Sequence, residues 1–108
     1  MNAADVIAMC EKNLKALTEH WSKVGMDDGD YIPIARVLVD TAGVSLLALG
    51  GAKADVERSK AKLQAFARGL YVSECVEAEP EIDERAECEV ESKEIFDHVF
   101  IHGEYPDD

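Results

Sequence analysis

The sequence predicts a mainly α protein of the α+β class. An antiparallel three-helix body is followed by an acidic carboxyl-terminal β-hairpin, with a fourth helix as the alternative to the hairpin. Two segments carry apolar residues at steps of three and four, which is the helical period. Turn residues separate the segments, and the charge pattern changes after residue 73. A chain of 108 residues is expected to form a single domain, 1–108.

The first helix is predicted between residues 3 and 24. Asn2 is a favourable N-cap, and Gly25 is a favourable residue for the end of the helix. The apolar positions share one face, which should pack against the rest of the body. These positions are Ile7, Cys10, Leu14, Leu17, Trp21 and Val24.

The second helix is predicted over residues 33–49 and the third over 55–70. Pro33 suits the first turn of a helix, and Gly50 and Gly51 suit its end. Apolar residues occupy almost every angle around the second helix, which predicts burial between the other helices. Short connections predict an antiparallel arrangement. The third helix repeats the steps of three and four at Val56, Ser59, Leu63, Phe66 and Leu70.

The carboxyl-terminal element is predicted as a hairpin because acidic residues alternate with other residues between positions 76 and 93. This is the period of a strand, and residues 95–102 are rich in β-forming types. The turn is expected near residues 92–94. A helix over 81–101 is the alternative, since Ile82, Ala86 and Val90 also step by four.

The net charge of −12 lies entirely in the last third of the chain. Residues 1–73 hold nine acids and nine bases and form a neutral body, whereas 74–108 form the acidic element. This distribution disfavours direct binding to nucleic acid or to an anionic membrane and favours a basic protein partner. In a strand, alternate carboxylates recur about every 6.6 to 6.8 Å, on the scale of nucleic-acid backbone charges. The predicted partner-binding residues are Glu77, Glu79, Glu81, Asp83, Glu87, Glu89 and Glu91.

No motif in the sequence predicts a catalytic site, a metal site or a cofactor. The Asp-rich turn at residues 27–30 lacks the Glu that closes an EF-hand loop. His98 and His102 stand four residues apart, with Glu94 four residues before them, but the spacing matches no zinc motif. Cys10 lies on the predicted core face and Cys88 lies between two glutamates, so neither predicts a nucleophile.

The compartment expected from the sequence is the cytoplasm. The amino terminus shows neither the basic stretch nor the apolar run of a signal peptide. The longest apolar window, residues 37–52, is interrupted by polar residues and is expected to be too short to span a bilayer. Three cysteines without a CxxC pair suit a reducing environment.

The function predicted from the sequence is a non-enzymatic acidic interaction protein, an inhibitor that mimics nucleic acid and binds a basic nucleic-acid-binding protein. In size and charge placement the chain is similar to small phage-encoded acidic inhibitors of host defence nucleases, including anti-restriction and anti-CRISPR proteins. That resemblance implies the same kind of inhibitory role. The alternatives are a homo-oligomeric structural or regulatory module, joined as a homodimer through the helical faces, and a small metal-binding enzyme around His98 and His102.

Overall fold

Four helices form the structure, a computed structural model that describes residues 1–25, 27–77 and 82–103, apart from the side chains of Asp28, Ile82 and Asp83. They are α1 (Ala3–Val24), α2 (Asp28–Ala48), α3 (Lys53–Glu77) and α4 (Ile82–His102). No strand occurs among the described residues. The predicted β-hairpin is therefore wrong, and the alternative of a fourth helix is confirmed.

The residues that α4 buries explain why it is a helix. Ser92, Phe96 and Val99 are buried and Cys88 is half-buried, so the inner face has steps of four, four and three. Val90, which suggested the helical alternative, instead lies on the outer face and is 57% exposed. The alternating glutamates were weak evidence for a strand, because glutamate is favourable in helices and disfavoured in strands.

α1 begins and ends where the sequence predicts. The side chain of Asn2 accepts the backbone N–H of Asp5 at 3.0 Å, and the Asp5 carboxylate accepts the backbone N–H of Asn2 at 3.1 Å. This capping box satisfies two N–H groups that have no partner within the helix. Gly25 ends the helix with a φ of 68°, a conformation that favours glycine. Cys10 and Leu14 lie on the buried face, as predicted.

The sequence placed the start of α2 at Pro33, but the helix begins five residues earlier. The Asp27 carboxylate caps the earlier start by accepting a backbone N–H two residues further on, at 3.1 Å. Tyr31 and Ile32 are wholly buried, although the sequence placed them before the start of the helix. Their burial gives this first part of the helix a packing energy that the local sequence does not show.

Glycines end α2 in the predicted place. The N–H of Gly50 bonds to the carbonyl of Leu47 at 3.0 Å, and the N–H of Gly51 bonds to the carbonyl of Leu46 at 3.1 Å. With Gly50 at a φ of 88°, this is a Schellman ending. α3 follows and runs to Glu77, seven residues beyond its predicted end, since Tyr71 and Val72 are buried in the bundle.

α2 and α3 form the centre of an elongated bundle of 47 × 27 × 22 Å. Each of them packs against all three other helices, whereas α1 and α4 make no contact with each other over the described residues. Trp21 near the end of α1 stacks on Tyr31 near the start of α2, with ring centroids 4.6 Å apart. Tyr31 also stacks on Tyr71 in the last part of α3. α2 is therefore antiparallel to both α1 and α3, as the short connections predict.

Aromatic rings link all four helices at one end of the bundle. Tyr71 of α3 lies 5.2 Å from Trp21 and 5.7 Å from Phe96, measured between ring centroids. Phe96 in turn lies 5.5 Å from Phe100. Phe96 and Tyr71 are almost completely buried, so the carboxyl-terminal half of α4 is part of the core.

One side of α2 is exposed, and we call it the α2 outer face. It consists of Ile34, Val37, Val44 and Leu47, whose exposed fractions are 41%, 61%, 67% and 50%. The prediction that α2 is buried on every side is therefore wrong. Apolar residues do occur at almost every angle around α2, but only one half of its surface faces the other three helices.

The segment Gly29–Ala48 of α2 is long and apolar enough to cross a membrane, with a mean hydropathy of 1.4. It is longer than the apolar window of residues 37–52 that the sequence suggested. Length and composition alone give this result, and the core helix of a soluble protein also satisfies both criteria. In this bundle 39% of the segment is buried.

Candidate functional site

Four exposed glutamates follow one face of α4, and we call them the acidic row: Glu84, Glu87, Glu91 and Glu94. Their steps of three, four and three residues place them on one side of a helix. With a rise of about 1.5 Å per residue, neighbouring carboxylates advance about 4.5 to 6 Å and the row is about 15 Å long. The row lies beside the inner face that holds Ser92 and Phe96, turned from it by roughly a third of a circle around the helix axis.

The helix divides the predicted partner-binding residues between different faces. Glu87 and Glu91 belong to the acidic row, Glu89 lies on another side of α4, and Glu77 is exposed at the end of α3. Residues at alternate positions share a face on a strand but not on a helix. The predicted continuous surface of alternating carboxylates is therefore wrong. The rest of the predicted set, Glu79, Glu81 and the side chain of Asp83, lies outside the described residues.

Sequence reasoning missed two members of the row, Glu84 and Glu94. The strand interpretation assigned Glu84 to the face opposite the predicted carboxylates and placed Glu94 in the turn near residues 92–94. The signal that identifies them is the spacing 84, 87, 91 and 94, which follows the helical period.

The carboxylates of the acidic row have no ion-pair partner among the described residues. Lys93, one of two bases in the last third of the chain, pairs with Glu89 at 3.0 Å. Arg68 of α3 pairs with Asp97 at 3.0 Å, on a different side of α4. Four carboxylates on one exposed helical face, without ion pairs in the described part of the chain, produce a local negative potential that attracts cationic groups.

The amino-terminal half of α4 is attached to the bundle over a narrow contact. Residues 84–91 are exposed, except Cys88, which is half-buried. The Cys88 thiol donates to the carbonyl oxygen of Cys75 on α3 at 3.5 Å and lies 3.6 Å from the hydroxyl of Ser92. The row therefore projects from a helical segment that leaves most of its surface open to a partner.

The rings of His98 and His102 contact each other in a tilted arrangement, with ring centroids 4.5 Å apart. Within residues 1–25, 27–77 and 82–103, no group of three or more His, Cys, Asp or Glu side chains is placed to hold a metal ion. The two histidines therefore gain no third ligand from the described part of the chain, and Glu94 lies with them only as a helical neighbour.

Cys10 is buried and its thiol donates to the carbonyl oxygen of Leu38 at 3.5 Å. Burial raises the pKa of Cys10 above its ordinary value, and the charge of Glu11 raises it further. Both effects favour the neutral thiol over the nucleophilic thiolate. Cys10 thus acts as a core residue, which agrees with its predicted place on the inner face of α1.

An open cleft of about 470 Å³ lies at the other end of the bundle, between the amino terminus and the turn from α2 to α3. The lining side chains that could act as an acid, a base or a nucleophile are Asp55 and Ser59. Asp55 forms an ion pair with Arg58. The residues that line this cleft include no histidine or cysteine that would pair with Ser59 as a base or serve as a nucleophile.

Comparisons with protein-family models, with curated proteins and with solved structures find no match to this chain. The functional argument therefore depends on the chain's own residues.

Proposed function

We propose that this protein is a non-enzymatic interaction protein that uses the acidic row of α4 to bind a Lys/Arg-rich surface on a nucleic-acid-binding protein. The observation that carries the proposal is the set of four exposed carboxylates that lack ion-pair partners in the described residues. A basic groove that accepts phosphates presents the charges that would pair with them. Binding there would exclude nucleic acid, so the protein would act as an inhibitor.

The geometry supports a modified form of nucleic-acid mimicry. The strand spacing of alternate carboxylates does not apply to α4, but the row still repeats charges at about 4.5 to 6 Å along a straight helical axis. A DNA strand advances about 3.4 Å for each charge. The helix therefore offers a sparser row than a nucleic-acid strand, and it suits a groove that recognises several spaced phosphates.

The experiment compares two double charge reversals of equal size. Glu87→Lys/Glu91→Lys changes the acidic row, whereas Glu19→Lys/Glu57→Lys changes exposed acids on α1 and α3. The assay measures displacement of a fluorescent DNA duplex from each of a panel of purified nucleic-acid-binding proteins. The wild type should displace the duplex from at least one of them, and displacement should weaken between about 50 and 200 mM salt.

The row reversal should weaken displacement at least about tenfold, because it replaces two attractive pairs with two repulsive ones. The matched control should stay close to the wild type. Equal losses in both variants would mean that only net charge matters. If the row reversal competes as well as the wild type at low salt, the acidic row is not the binding site.

A second candidate function, a homo-oligomeric helical module, is favoured by the α2 outer face. The apolar faces that suggested a homodimer from the sequence lie within this bundle, where Leu14 and Leu63 are buried. Val37 and Val44 are instead more than half exposed and lie seven residues apart on one side of α2. Sedimentation equilibrium should then show a dimer that Val37→Ser/Val44→Ser makes monomeric. A monomeric wild type at about 100 μM would exclude this function.

A further inference from the structure

We propose that Cys75 and Cys88 form a redox modification site, a dithiol that small disulfide oxidants such as glutathione disulfide convert to an intramolecular disulfide between α3 and α4. The sulfur of Cys88 lies 3.5 Å from the carbonyl oxygen of Cys75. Both residues are half-buried, so each thiol retains access to a small oxidant.

Cys75 and Cys88 lie on neighbouring turns where α3 and α4 run side by side. Along α3, Arg68 contacts Asp97, Tyr71 contacts Phe96, and Cys75 contacts Cys88. Successive contacts on α3 are three and four residues apart, and their partners on α4 step back by one and by eight residues. Cys88 therefore reaches the carbonyl of Cys75 from up to about one turn nearer the start of α4 than the residue directly opposite. The helices run antiparallel over this length.

Helix packing brings facing residues within reach of a disulfide. Packed helices have axes about 8 to 10 Å apart, and each Cα lies about 2.3 Å from its axis. Facing Cα atoms then approach to about 3.4 to 5.4 Å, which overlaps the 4.4 to 6.8 Å that a disulfide spans. The third cysteine, Cys10, is buried on α1, a helix that makes no contact with α4 in the described part of the chain.

The reaction is an ordinary thiol–disulfide exchange in two steps. The Cys88 thiolate attacks one sulfur of glutathione disulfide, which gives a mixed disulfide and releases one glutathione thiol. The Cys75 thiolate then attacks the Cys88 sulfur and releases the second glutathione. The two cysteines lose two electrons and two protons, and glutathione disulfide gains them.

The disulfide would pin the half of α4 that carries most of the acidic row. Over residues 84–91 the helix is otherwise exposed, and Cys88 is its half-buried anchor. A covalent bond at that anchor should restrict fraying of this segment and fix the direction of the row. The redox site itself is independent of whether the acidic row binds a partner.

Peptide mapping can read the bond directly because trypsin separates all three cysteines. Cys75 falls in peptide 69–85, Cys88 in 86–93 and Cys10 in 1–12. The full-length folded protein is incubated with glutathione disulfide, alkylated and digested. We expect a product about 2 Da lighter, with peptides 69–85 and 86–93 linked. Cys10→Ser should give the same product, whereas Cys88→Ser should not.

The oxidised protein should melt about 5 to 10 °C higher than the reduced protein, since the bond closes a short loop across the α3–α4 connection. Amide exchange over residues 84–92 should slow upon oxidation. Stable glutathione adducts on Cys88 without closure would overturn the proposal, because they would show that Cys75 cannot reach it. A link from peptide 1–12, or a link between two chains as the main product, would also overturn it.

Discussion

Two buried hydroxyl groups, those of Thr18 on α1 and Tyr31 on α2, contact each other. Removing one of them should lower the free energy of unfolding by a different amount from removing the other. The Thr18 hydroxyl donates to the carbonyl oxygen of Leu14 at 2.8 Å, so its proton is already used. The Tyr31 hydroxyl lies 2.5 Å from the Thr18 oxygen and therefore donates to it. Thr18 and Tyr31 are both buried, and water cannot replace either partner.

The two single substitutions differ in what they leave behind. Tyr31→Phe removes the donor while the Thr18 hydroxyl keeps its bond to Leu14, which should cost about 0.5 to 1.5 kcal/mol of unfolding free energy. Thr18→Val leaves the Tyr31 hydroxyl buried without an acceptor, which should cost about 1 to 3 kcal/mol. In the double variant neither polar group remains, so its cost should be smaller than the sum of the two.

Urea unfolding of the wild type, the two single variants and the double variant measures these quantities, provided that the m-value is unchanged. The order of costs is the decisive result, because it follows from the direction of the two hydrogen bonds. If Tyr31→Phe costs clearly more than Thr18→Val, or if the two costs add, then the assigned donor and acceptor are wrong.

Three further predictions concern the core. Phe96→Ala should cost about 3 to 5 kcal/mol because the ring is wholly buried, whereas Val90→Ala should change stability by less than about 0.5 kcal/mol; urea unfolding checks both. Trp21→Ala should cost about 2 to 3 kcal/mol, because the half-buried ring loses its stacking on Tyr31 and Tyr71. Burial raises the pKa of Tyr31. The pKa of Tyr31 is higher in the folded than in the unfolded protein, so folding favours the neutral phenol. The stability that the neutral phenol contributes is complete below the unfolded pKa near 10 and is lost as pH rises toward the folded pKa. Tyr31→Phe should therefore reduce the fall in unfolding free energy between about pH 9 and 11, measured by a series of unfolding curves.

The helices whose inner faces carry strongly apolar residues were predictable from the sequence. α1 has Asn2 and Gly25 as unambiguous ends and a regular apolar face between them. The interior of α3 was predicted for the same reason, but not its extension to Glu77. That extension depends on contacts of Tyr71 and Val72 with other helices, which local sequence does not reveal.

The error in α4 has a specific physical origin. Its inner face begins with Cys88 and Ser92, which are not strongly apolar. Strongly apolar residues appear on the packed side of α4 only from Ile95 onward. The four-residue spacing of Ala86 and Val90 suggested a helix, but both residues are exposed, so this spacing does not mark the buried face. Counting apolar residues therefore found the helical period but identified the wrong face.

The candidate site was predictable as a charge but not as a surface. The excess of acids after residue 73 follows from composition, whereas the acidic row follows from the helical period of α4. Glu87 and Glu91 were named as alternate positions of a strand, and they also share a face on the helix. Glu84 and Glu94 were missed because the strand interpretation placed Glu84 on the opposite face and Glu94 in the turn.

The boundary between structural and charged parts of the protein lies within α4 and not at residue 73. After Ser92, α4 supplies Phe96, Val99 and Phe100 to the core, and Arg36 of α2 donates to the carbonyl oxygen of Ile101 at 2.9 Å. Before Ser92, the same helix buries little and carries most of the acidic row.

This division permits one helix to serve two purposes. Mutual repulsion among the glutamates opposes compaction of the amino-terminal half, whereas the buried rings of the other half hold the helix in the bundle. A cationic partner would remove the repulsion at the exposed half without disturbing the rings. Charge reversal at Glu87 and Glu91 should therefore change binding far more than stability, which is the combination expected of an interaction surface built onto an independent core.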